Sequence, residues 1–85
     1  MSLRNYGLFV DLVKHSNGED AFSLMDVLSD HLSPRQRAES AKQLVADGFI
    51  ELIQLNANDT SVAIKGTFTE KGLEKIEAGN LRQNK

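Results

Sequence analysis

The chain predicts an α+β domain, mostly α, in which three helices are followed by a β-hairpin and a fourth helix. Three observations carry that prediction. HLSPRQRAESAKQLVADGFIEL (residues 31–52) holds a helix start, an amphipathic helix, a stop and the beginning of a strand. FIELIQL (49–55) and SVAIKGTF (61–68) are strand-like runs separated by the turn residues NAND. Capping residues of the Ser/Thr-x-x-acid/amide type stand before each of the last three helices. Eighty-five residues suffice for one modest core and not for two, so residues 1–79 are expected as a single domain and 80–85 as a polar tail that frays.

The first helix is predicted over residues 3–14, where Leu3, Tyr6, Val10 and Val13 recur on one face. HSNGED (15–20) ends it with Asn and Gly. Ser23-Leu24-Met25-Asp26 has the spacing of a capping box, and Leu24, Val27, Leu28 and Leu32 supply the buried face of a short second helix. The third helix has the clearest punctuation. Ser33 is its N-cap, Pro34 suits the first helical position because its missing N–H would be unpaired anyway, and Gln36 closes a box. Ala38, Ala41, Leu44 and Val45 form its core stripe, and Gly48 can adopt the left-handed conformation that ends it. The hairpin follows. Thr67-Phe68-Thr69-Glu70 then offers a further box, opening the fourth helix over 70–79.

Composition excludes several classes. Twelve acidic against ten basic side chains give −2 at pH 7, which argues against nucleic-acid binding by bulk electrostatics. The balance is uneven. Residues 1–32 set Arg4 and Lys14 against five carboxylates, whereas residues 33–48 set Arg35, Arg37 and Lys42 against Glu39 and Asp47. Only this third helix and residues 66–85 are positive, each by one charge. With no cysteine there is neither a disulfide framework nor a thiolate metal site. No uninterrupted apolar run is longer than LFV (8–10), too short for a membrane span or a secretory core, so a cytoplasmic address is expected. Asn58-Asp59-Thr60 is then a chance match to a glycosylation acceptor. No phosphate loop, nucleophile elbow or triad-like grouping is visible, and no enzyme is expected. His15 and His31 lack recognisable ligand spacing. Asp26 and Asp30, one turn apart, read as a solvated face. No metal or cofactor is expected.

LMDVLSDHLSPRQRAESAKQLVADGFIEL (24–52) resembles the winged helix-turn-helix stretch of MarR- and PadR-type regulators, where a support helix, a turn and a recognition helix end in a "dGfIe" step. FTEKGLEKI (68–76) resembles the "LTekG" start of the helix after the wing. The resemblance spans about residues 23–78. It implies a sequence-specific DNA-binding transcriptional regulator that places helix 34–47 in the major groove of double-stranded DNA. The residues it implies as contacts are Arg35, Gln36, Arg37, Ser40, Lys42, Gln43 and Lys65, with Asn58 and Thr60 on the wing. A wheel puts Gln36, Glu39, Ser40 and Gln43 opposite the core stripe; Gln pairs with adenine, Arg with guanine, and Ser with either. A helix start carrying Arg35 and Arg37 suits phosphate.

Two features depart from that pattern. The wing tip holds Asp59 and no cation, and Glu39 sits in mid-ridge. The wing without cations, the acidic first 32 residues and the surplus Leu8/Leu12 pair motivate an alternative, a winged-helix protein–protein interaction module without DNA binding. A continuous basic strip through Arg35, Arg37, Lys42 and Lys65 favours DNA; dispersed charges favour a protein partner. Leu8 and Leu12 project roughly 120° to 160° from the first helix's stripe, so either the fourth helix or tail (Leu73, Ile76, Leu81) covers them or a second subunit does; the resemblance favours a homodimer contact. A dimer on DNA implies half-sites about 10 base pairs apart.

Overall fold

Local side-chain chemistry sets the ends of each helix in the computed structural model of the protein, which describes residues 1–26 and 33–82. The first helix, α1 (Leu3–Lys14), starts where the Ser2 hydroxyl accepts from the Asn5 N–H. It stops at His15, whose ring Nδ1 lies 2.8 Å from the Asp11 carbonyl, and the chain turns through left-handed Asn17 and Gly18. Its buried side consists of Asn5, Leu8, Phe9, Leu12 and Val13. The expected stripe is right only in part: Val13 is buried and Tyr6 and Val10 are half-buried, but Leu3 is 91% exposed, whereas Leu8 and Leu12 are 2% and 0% exposed. Leu8 and Leu12 belong to the core of one chain and are unavailable as a dimer contact.

Residues 21–26 correct the sequence prediction more deeply. They form a strand, β1 (Ala21–Asp26), and Ser23 to Asp26 is not a capping box. Phe22 and Leu24 are buried while Ser23 and Met25 are exposed, the two-residue alternation of a half-buried strand. Val27, Leu28 and Leu32, expected on the second helix, lie outside the described residues, as do Asp30 and His31.

The next helix, α2 (Pro34–Ala46), begins at the complete Ser33/Gln36 capping box. At its other end Gly48, at φ +87°, donates to the Val45 carbonyl, and Phe49 donates to the Leu44 carbonyl. This bond pair is a Schellman stop, and it releases the chain straight into β2 (Ile50–Ala57). A tight turn at 58–61 leads to β3 (Val62–Phe68). The sheet is antiparallel throughout, in the order β1-β3-β2, with an irregularity between Leu52 and Gln54. Its covered face carries Phe22, Leu24, Ile50, Val62, Ile64 and Phe68, against which α1 and α2 pack. Phe9 sits among the other aromatic rings, with centroids 5.6 Å from Phe68 and 5.9 Å from Phe49.

The last helix, α3 (Glu70–Ala78), is capped by Thr69 and not by Thr67, which belongs to β3. Thr69 ties this start to the end of α2. Its hydroxyl donates to the Gly48 carbonyl and its N–H donates to Phe49 O at 3.1 Å. Gly72 rests against the same Phe49 carbonyl, and a Cβ there would come within 2.1 Å of the oxygen. Lys71 donates to Asp47 O at 2.7 Å and lies 4.7 Å above the Phe49 ring. The "DGFIE" and "FTEKG" segments are therefore two halves of one interlock. Beyond left-handed Asn80, Leu81 packs on the core and Arg82 bonds the Glu19 carbonyl, so the tail is held at least through Arg82. Among the described residues, no helix is long and apolar enough to cross a membrane.

Candidate functional site

The outward face of α2 is polar along the helix, and β2 runs beside it. Pro34, Ala38, Ser40, Ala41 and Leu44 point inward, while Val45 is 39% exposed. Of the four residues expected in the core stripe, Ala38, Ala41 and Leu44 are buried and Val45 is not; Pro34 and Ser40 join the buried side, a small rotation toward Ser40. Small side chains explain the rotation. Alanine and serine weigh little in a hydrophobic pattern, so one large residue, Leu44, decides which side turns in. The outward ridge becomes Arg35, Glu39, Lys42 and Ala46, flanked by Gln36 and Gln43, all exposed.

Ser40 cannot take part in any contact across this ridge. It is fully buried, and its hydroxyl has no hydrogen-bond partner among the described residues. That placement overturns the expectation of a reading-face serine.

The remaining candidates are mostly engaged within the molecule. Gln36 spends its carbonyl on the Ser33 N–H at 2.9 Å, as the helix cap requires. The Gln43 carbonyl accepts from Asn5 Nδ2 at 2.7 Å. A bidentate pair with adenine needs both amide ends of a glutamine, so each would have to surrender an internal bond. Arg37 lies along α1 with Nη1 3.5 Å from Asp11 Oδ2, its side chain only 13% exposed. Arg35 Nε donates to Asp59 Oδ1 at 3.0 Å, drawing the hairpin tip toward the start of α2. Lys65 stands on the uncovered side of the sheet, level with Ser23 on β1 and Gln54 on β2, away from α2.

At the tip, Asn58 is a structural residue. Its side-chain oxygen accepts from the N–H groups of Thr60 and Ser61, both at 2.8 Å, and from the Thr60 hydroxyl at 3.1 Å. This Asx-type geometry accounts for both Asn58 and Thr60 as turn-formers.

The charges along α2 and the tip therefore balance: Arg35 and Lys42 against Glu39 and Asp59. No basic strip joins Arg35, Arg37, Lys42 and Lys65. Between α2 and β2 runs a shallow groove of about 360 Å³, walled by Arg35, Glu39 and Lys42 and floored by Ala38, Leu55 and Ala57. Sequence inspection missed half-buried Leu55 and exposed Ala57, because a strand residue gives no signal of the helix beside it. Among the described residues, no three His, Asp or Glu side chains gather as a metal site. No family model matches the chain, and neither curated proteins nor solved structures yield a match.

Proposed function

We propose that the protein is a winged-helix interaction module that takes a protein segment along the groove between α2 and β2. The order α1, β1, α2, hairpin, α3, with β3 central in the sheet, supports the winged-helix assignment. The observation that carries the function is the balanced rim over an apolar floor: Glu39 with Lys42 above Ala38, Leu55 and Ala57. A segment with one row of apolar side chains, a carboxylate for Lys42 and a cation for Glu39 complements it. Phosphate backbones demand a surplus of cations, which this face lacks.

A photo-crosslinking residue placed at position 42 tests the proposal, with position 65 on the far side of the sheet as the control. A discrete protein adduct from 42 and not from 65 is the expected outcome. Equal adducts from both positions would sink it.

The second reading is the DNA-binding regulator. One observation favours it: α2 is open to solvent along its length beside the hairpin, and a helix of that diameter fits the major groove. The exposed Arg35–Asp59 pair contributes only about 0–1 kcal/mol, so a phosphate could displace Asp59 from Arg35. Duplex retardation at micromolar protein in about 50 mM salt, lost in about 200 mM salt and in Arg35→Ala and Lys42→Ala, would establish this reading and displace the first.

A further inference from the structure

Among the described residues, nothing packs over the outward side of α1. Leu3, Gly7, Val10 and Lys14 follow one another at three- and four-residue spacing on the side opposite Phe9 and Leu12. Leu3 is 91% exposed, and open space surrounds the position a Cβ would take on Gly7. Beside the stripe lies a mostly apolar groove of about 600 Å³, bounded by Arg4, Leu8, Asp11 and Arg37. A face of this kind on a surface helix calls for an occupant.

We infer that the occupant is a second copy of the same helix, packed antiparallel across a two-fold axis near Gly7. The charges argue for it. Arg4 and Asp11 stand on the same flank, seven residues or about 10 Å apart along the axis. A two-fold axis midway between them sets each Arg4 beside the partner's Asp11, so one rotation produces two opposite-charge contacts. That self-complementarity is what an isologous interface requires. Asp11 keeps Arg37 on its inner side at 3.5 Å and is 39% exposed, so it can receive a second cation from outside. Gly7 falls near the crossing point, where the absence of a side chain lets the two backbones approach. Leu3 then lies against the partner's stripe between Val10 and Lys14. A parallel two-fold pair would carry the partner's Arg4 and Asp11 to the opposite flank, so neither opposite-charge contact would form.

This inference is independent of the α2 groove, which lies on a different face. A single short helix pair buries less than about 1,200 Å², the lower end of stable interfaces, so association is expected to be weak and best seen at high protein concentration.

Sedimentation equilibrium from about 10 µM to about 1 mM reads the association directly. The wild-type mass should rise from 9.4 kDa toward twice that value. Arg4→Glu and Asp11→Lys, each alone, place like charges together and should weaken association at least tenfold. An equimolar mixture of the two variants restores both opposite-charge contacts, one in the native sense and one with its charges exchanged, and should associate like the wild type. Because Asp11 also holds Arg37, Leu3→Asp at an exposed site is a variant safe for folding, and it should be monomeric. A wild-type chain that stays at 9.4 kDa throughout overturns the inference. So does a mixture of folded variants that remains monomeric, or a Leu3→Asp chain that dimerises unchanged.

Discussion

Replacing Ser40 by alanine should make this protein more stable, against the usual direction of substitutions in a core. Ser40 is fully buried on the inner side of α2, and its hydroxyl faces no acceptor or donor among the described residues. A desolvated polar group left unpaired costs about 1–3 kcal/mol. Alanine is also the better helix former, by roughly 0.5 kcal/mol. Against these gains stands only the loss of one oxygen's packing contacts. A net stabilisation of about 1–2 kcal/mol follows, which for a domain of this size raises Tm by at least about 4 °C. Urea denaturation followed by circular dichroism gives the free energy, and the slope should be unchanged while the midpoint rises. A Ser40→Ala chain no more stable than wild type would refute the reasoning. It would show that the hydroxyl is bonded, to a helical carbonyl one turn back or to a trapped water.

The same structure fixes three further outcomes. Gly72→Ala, normally a gain inside a helix, should destabilise by about 2 kcal/mol or more, because its Cβ would meet Phe49 O at 2.1 Å; thermal melts report it. Ser33→Ala removes the N-terminal cap of α2 and should cost about 1 kcal/mol by the same assay. Asp59→Asn loosens an exposed pair and should change stability by no more than about 0.5 kcal/mol. In fluorescence anisotropy at low salt, Asp59→Asn still gives no duplex binding if the α2 groove serves a protein partner, whereas a DNA reader would gain affinity from the freed Arg35.

What could be read from the sequence was whatever is decided within a few residues. Ser33, Pro34, Gln36 and Gly48 delimit α2 through bonds that close inside one turn, and their meaning survives intact in the fold. The hairpin was legible for the same reason, although its turn sits two residues later than NAND suggests. β1 was hidden because its bonds are made with β3, some forty residues away; Ser23 and Asp26 happen to stand at a cap's spacing. The face of α1 was misassigned because a polar residue, Asn5, is buried by its bond to Gln43, while an apolar one, Leu3, is left outside. The site suffered most. Whether a glutamine or an arginine is free to touch a ligand depends on partners distant in the chain, and Arg35 with Asp59, Arg37 with Asp11 and Gln43 with Asn5 are invisible to any local pattern.

The interlock between Gly48–Phe49 and Thr69–Gly72 has a mechanical consequence. Since the N–H groups of Gly48 and Phe49 close α2 while their carbonyls hold Thr69 at the start of α3, α2 cannot twist about its long axis without dragging α3 along, as a key turns its barrel. Strain applied by a partner in the α2–β2 groove would therefore reach α3 at the opposite end of the chain before it loosened the sheet.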